Sequence, residues 1–178
     1  MEIAFLSKDC IKIKGKTLSV IIDPFTLRTK TPCDAVFLLK EEGDFDLSKT
    51  EGFRVLIKGA GEYELSSVKI YSQKAGESLV YELRMDGMMV LLGNVDGIEK
   101  LKDKLKEYDV AILYVPLKFD QNLITAIEPK AVVFYGDGAQ EAVKSLNKSS
   151  ENSETIKTSK FIVKPETLKE EMEVVLLG

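Results

Sequence analysis

The sequence predicts one layered α/β domain with a large mixed-sheet content, and three observations carry that expectation. Its first half is a series of short apolar segments parted by turn residues, whereas its second half alternates strand-like and helix-like segments, an order that places helices against a sheet. Several apolar runs, among them Ala35–Leu39, Val110–Val115 and Ala131–Tyr135, are continuous rather than alternating, as expected of strands buried on both faces. The chain of 178 residues shows no internal repeat and no linker, so a single domain over 1–178 is expected.

Taken in order, Met1–Leu6, Cys10–Lys14 and Leu18–Asp23 read as strands, the latter two joined by a tight turn at Gly15-Lys16. Asp23-Pro24-Phe25 ends the third, because proline cannot continue a central ladder. A loop through Thr26–Pro32 leads to the buried Ala35–Leu39 strand, which opens into the acidic loop Lys40–Asp46. Phe53–Lys58 is strand-like and runs into a structural turn at Gly59-Ala60-Gly61. Val68–Tyr71, Leu79–Met85 and Met88–Leu92 follow as strands, and Asp86-Gly87 between the last two is a two-residue hairpin signal. Ile98, Leu101, Leu105 and Tyr108 share a helical face, with Asp96 and Glu99 spaced for a capping box. Asp120 suits the start of a short helix carrying Leu123, Ile124 and Ile127 and ending before Pro129. Gly136-Asp137-Gly138 turns the Ala131–Tyr135 strand into a helix with Ala142, Val143 and Leu146 inward. Residues 147–158, rich in Ser, Asn, Lys and Glu, read as a mobile surface loop before strands at Phe161–Val163 and Glu173–Leu177.

Composition narrows the chemistry. The chain contains no histidine, which is the commonest metal ligand and the side chain best suited to proton transfer near neutral pH. Zinc catalysis of the usual kind and Ser-His or Cys-His nucleophile activation are therefore not expected. Cys10 and Cys33 cannot form a disulfide framework, and Cys10 reads as a small buried thiol with no base to activate it. Glu2 and Lys8 break up the N-terminal apolar run, and no stretch has the roughly 18 apolar residues of a membrane span, so a cytoplasmic protein is expected. Net charge is −4. Lys12, Lys14 and Lys16 alternate along a strand and read as a solvated sheet face; without an aromatic stacking platform, nucleic-acid binding is disfavoured.

Several segments resemble, in the right order, the metallo-β-lactamase fold superfamily, and in particular its short lactonase-like branch of predicted zinc-dependent hydrolases. The opening CIKIKGK strand and the Asp23-Pro24-Phe25 strand end are two of these. Gly59-Ala60-Gly61-Glu62-Tyr63-Glu64 is similar to the branch's GPGEYE, Leu92-Gly93-Asn94 to its LGD, and Ile127-Glu128-Pro129-Lys130 to the segment before its last ligand. The loop around Tyr71–Ser78 is shortened. This resemblance implies a four-layer αββα sandwich, two mixed sheets packed face to face with outer helices, and a dinuclear metal site at one sheet edge.

The same resemblance implies which metal positions have changed. The histidines of the family's HxHxDH motif fall on Lys40, Glu42 and Phe45, and only its aspartate is kept, as Asp44. The next histidine would lie near Gln73 or Lys74; the bridging aspartate is Asn94, the final histidine is Gly136, and an early histidine of the branch is Lys8. One carboxylate cannot hold a zinc ion that wants about four ligands, and Lys40 sets a positive charge where the cation would sit. No catalytic residue, metal or other cofactor is therefore expected. The expected function is that of an inactive binding or scaffolding protein, its partner unnamed by the sequence: a second copy or an active relative. The alternative is a hydrolase rebuilt around a hard cation held by Glu42 and Asp44 with Asp9 or Asp137, acting on a lactone or phosphoester. Glu42, Asp44 and Asp46 alternate as acids that suit a hard cation, and Asp44, Asp46 and Ser48 imitate the start of a calcium loop, but Lys49 and Val55 stand where its Gly and Glu are needed.

Overall fold

A computed structural model describes residues 1–41, 43, 45–149 and 155–178. Its strands, in chain order, are β1 (Glu2–Ser7), β2 (Cys10–Lys14), β3 (Ser19–Ile22), β4 (Thr31–Pro32), β5 (Ala35–Phe37), β6 (Thr50–Glu51), β7 (Val55–Ile57) and β8 (Gly61–Leu65). They continue with β9 (Val68–Ala75), β10 (Ser78–Met85), β11 (Met88–Asn94), β12 (Val110–Tyr114), β13 (Ala131–Tyr135), β14 (Thr155–Thr158), β15 (Lys160–Ile162) and β16 (Glu173–Leu177). Among the described residues, three α-helices, α1 (Val95–Glu99), α2 (Asn122–Ile127) and α3 (Ala139–Ser149), interrupt the second half.

Two mixed sheets result: a six-stranded one in the order β15-β1-β2-β3-β5-β7 and an eight-stranded one in the order β14-β16-β13-β12-β11-β10-β9-β8. Their facing sides meet in the largest apolar cluster, which takes Ile3, Ile13, Ile22 and Phe37 from one sheet and Tyr81, Leu92, Ile112 and Tyr135 from the other. The continuous apolar strands are explained by a second cluster, where Leu91, Leu113, Val132 and Phe134 on the outer side of the eight-stranded sheet pack against Ile98, Ile124, Ala142 and Val143 of the helices. The outer side of the six-stranded sheet has a thinner cover. There Cys10, Ile21, Cys33, Val36 and Leu38 lie under Leu27, Phe45, Leu47 and Phe53, from a segment whose only helical piece among the described residues is the 3-10 turn Pro24–Thr26.

Four expectations change in detail. The helix expected through Ile98–Tyr108 is only the five residues of α1, followed by a 3-10 turn at Lys102–Lys104. Leu105 and Tyr108 still reach the same cluster, but from non-helical backbone. The start of that helix is capped by Asn94, whose Oδ1 accepts the Asp96 amide at 3.1 Å, rather than by an Asp96–Glu99 box. The shortened segment after Tyr71 is not a loop: β9 runs on to Ala75 because it stays paired with β10 through Ala75↔Ser78. Within the stretch expected as a mobile loop, Asn147 lies in α3, and Thr155–Thr158 is an edge strand held parallel to β16; residues 150–154 lie outside the described residues. The Asp86-Gly87 hairpin forms as expected, with both residues at positive φ.

Tyr81 fastens the two sheets. It is fully buried, stacks on Phe37 with ring centroids 5.2 Å apart, and donates its hydroxyl to the Leu38 carbonyl at 2.5 Å. Tyr81→Phe keeps the ring and strips a buried carbonyl of its donor. A destabilisation of about 1–3 kcal/mol is expected in urea unfolding, and a midpoint equal to that of the parent would show that the bond adds nothing.

Candidate functional site

The parallel strands β3, β5, β11, β12 and β13 all end at one end of the sandwich, and Lys8, Lys40, Asn94 and Gly136, four of the positions matched to the family's ligands, stand there. Each has a different occupation. Lys8, in the β1–β2 turn, pairs with Asp137 at 2.6 Å, both side chains more than half exposed, and that contact raises the Lys8 pKa. Lys40 is exposed and forms an isolated bridge with Ser78. Gln73 donates to Glu82 at 3.1 Å, and Lys74 pairs with Glu41. Asn94 caps α1.

Phe45 has turned away from the strand ends. It stacks on Phe25 at 5.1 Å and packs over the outer apolar cluster of the six-stranded sheet, where burying a ring is favourable. Glu42 and Asp44 lie outside the described residues.

Gly136 has φ +99, and a Cβ there would sit 2.7 Å from Tyr114 Cε2 and 2.7 Å from the Val115 carbonyl oxygen. Tyr114 therefore occupies the room a side chain at 136 would need. Its hydroxyl donates to Asp9 Oδ1 at 3.0 Å, and its ring lies 5.3 Å from that of Tyr135. Burial, then the bond to Asp9, raises the Tyr114 pKa. Tyr135 is wholly buried, its hydroxyl has no hydrogen-bond partner among the described residues, and burial together with the nearby Asp23 raises its pKa well above the usual range.

Asp23 is the central charged group of this end. Its backbone is left-handed at φ 44, and its Oδ1 accepts the Leu39 amide at 2.9 Å, tying β3 to the end of the β5 run. Part of its surface still meets solvent, yet the carboxyl is packed deeply enough that burial pushes its pKa up to about 7, against the opposing pull of the Leu39 amide and Lys40. Cys10 is buried, and its thiol is pushed up to about 12 by burial and by Asp23, which keeps it protonated and unreactive.

Sequence reading singled out Lys8, Lys40, Asn94 and Gly136 but passed over Asp23, Tyr114 and Tyr135 as functional positions. A usable signal exists for the tyrosines: the apolar runs of β12 and β13 both end in Tyr, and the two are register partners.

A zinc centre does not fit the described residues. At the positions matched to the family's ligands they offer an amine, an amide and a filled glycine cradle, and no group of three His, Cys, Asp or Glu side chains among them is placed to hold an ion. The two acids proposed to join a rebuilt site are otherwise engaged, Asp9 by the Tyr114 hydroxyl and Asp137 by Lys8.

Two mixed sheets packed face to face, with helices outside, are the α/β sandwich of the metallo-β-lactamase type, and the chain has that fold. Solved structures bear this out. A predicted zinc-dependent hydrolase of the metallo-β-lactamase superfamily from Thermotoga maritima superposes with TM-score 0.75 at 17% identity, covering 99% of this chain and 98% of the other. A predicted metal-dependent hydrolase from Parabacteroides distasonis gives TM-score 0.57 at 19% identity, covering 83% of this chain and 88% of the other. An isothiocyanate hydrolase from Delia radicum gut bacteria gives TM-score 0.57 at 9% identity, covering 98% and 96%. No protein-family model matches the sequence, and no curated protein matches it. No helix among the described residues is long and apolar enough to cross a membrane.

Proposed function

We propose that this chain is a metallo-β-lactamase-fold protein without hydrolytic activity, retained as a binding or scaffolding protein. The observation that carries the reading is the packing at Gly136. The position matched to the last histidine of the family is one where even a methyl group would meet the Tyr114 ring and the Val115 carbonyl at 2.7 Å. The ring of Tyr114, on the neighbouring strand, takes the space that a side chain at 136 would need. The absence of histidine from the chain and the pairing of Lys8 with Asp137 support the same reading. Without a metal to lower the pKa of a bound water toward about 7, these residues supply no activated hydroxide.

Element analysis of the purified, dialysed chain tests it: less than about a tenth of an equivalent of zinc, manganese or iron is expected. A stoichiometric metal would overturn the reading. So would a rise in melting temperature on adding millimolar Mg2+ or Mn2+, since an ion bound only by the folded state stabilises it.

A further inference from the structure

The three alternating lysines of β2 and its turn do not act as one stripe. Lys12 bends back to the Pro32 carbonyl at 2.6 Å, whereas Lys14 and Lys16 reach the opposite end of the sandwich from the Asp23 cluster. There, with Lys164 from the segment after β15, they line a cavity of about 470 Å3. Its wall also carries Ile162, 59% exposed, and the ring of Pro165. Lys14, Lys16 and Lys164 make no ion pair among the described residues. The carboxylates beside them are largely committed elsewhere. Glu2 pairs with Lys160 at 3.2 Å; Asp86 pairs with the Met1 amine at 3.2 Å and accepts the Lys16 amide at 3.0 Å, leaving Glu166 as the uncommitted acid of the wall.

We propose that this cavity is a binding site for a small organic phosphate, a phosphate monoester whose apolar body rests on Ile162 and Pro165 while Lys14, Lys16 and Lys164 take the phosphate. Three ammonium groups against one free carboxylate match a dianion, and compact ammonium groups serve phosphate as point charges. The cavity is of the size that holds a small molecule. A nucleic-acid strand fits less well, since the chain as a whole is negative and the wall has no aromatic ring for a base to stack on.

Calorimetric titration of the full chain at low salt, with hexyl phosphate, hexanol, inorganic phosphate and a short single-stranded oligonucleotide as probes, tests the site. Hexyl phosphate is expected to bind most tightly, inorganic phosphate more weakly and hexanol not at all. The double substitution Lys14→Gln/Lys164→Gln is expected to weaken hexyl phosphate binding by about tenfold or more. Lys14→Arg/Lys164→Arg keeps the charge and is expected to retain most of it, which separates lost charge from lost folding; Lys69→Gln, outside the cavity, is expected to change nothing. No binding of hexyl phosphate at millimolar concentration, binding indifferent to the glutamine pair, hexanol binding as well as its phosphate, or tighter binding of the oligonucleotide would each overturn the proposal. None of these outcomes depends on whether the metal positions at the other end are silent.

Discussion

Gly136→His, which puts a histidine at the position matched to the family's last ligand, is expected to destabilise the protein by about 2–5 kcal/mol rather than to recruit zinc. Two independent costs add. At φ +99 the backbone is in a region that side-chain-bearing residues avoid, at roughly 1–2 kcal/mol. The new Cβ also lands 2.7 Å from both the Tyr114 ring and the Val115 carbonyl, and forcing atoms into a packed site costs a further 1–3 kcal/mol or so. The second cost has a part that can be relieved and a part that cannot, because a ring can be deleted but a carbonyl stays. Tyr114→Ala combined with Gly136→His should therefore be less destabilised than the sum of the single changes, a non-additivity expected of residues in contact. Urea unfolding of the three variants, with zinc measured on each, decides the matter. A Gly136→His chain as stable as its parent and carrying an equivalent of zinc would show that the cradle is open, and the inactive reading of this end would fall with it.

That experiment also marks where the sequence was readable and where it was not. Most of the longer strands were legible because periodicity, β-branched runs and the Asp86-Gly87 pair act locally, and β12 and β13 emerge within the spans expected of them; β4, β6, β8 and β14, polar or short and made by their pairing partners, were not. The Ile98–Tyr108 helix was overread because a helical spacing of apolar residues says that they reach one cluster, not that helical backbone carries them there; α1 and a 3-10 turn deliver the same contacts. Phe45 was placed at a metal position by motif alignment alone, and only the fold reveals the apolar cluster under Phe25 that holds its ring. The Tyr114–Asp9 bond joins residues 105 positions apart, and no local pattern announces it. Lys14 and Lys16 were visible as a stripe, but their meeting with Lys164 depends on β15 lying beside β1.

The second large effect is on pH dependence and comes from Asp23. Its carboxyl titrates near 3.8 when exposed and near 7 in the folded protein, so the folded state holds this proton more tightly than the unfolded one. Its contribution is then most favourable below about pH 4, diminishes from there to about pH 7, and is fully lost above that. The span corresponds to roughly 4 kcal/mol at 1.36 kcal/mol per unit, an upper figure because part of the side chain meets solvent. Asp34 and Asp109 work in the opposite sense: hydrogen bonds from Ser19 to the first, and from Lys130 and the Met89 amide to the second, hold their carboxyls below the usual range, so their stabilisation fades in acid. Stability should accordingly peak near pH 4–5 rather than near neutrality. Asp23→Asn is the informative change, since asparagine accepts the left-handed backbone and its amide oxygen can keep the Leu39 bond while the buried charge is removed. The variant should melt higher than the parent at pH 8, match it within a degree or two at pH 4.5, and show a flatter profile between. If the parent instead gains stability steadily from pH 4.5 to 8, or the variant is the weaker protein at pH 8, then Asp23 is ionised in the folded state at ordinary cost, and this end of the sandwich is better solvated than its packing implies.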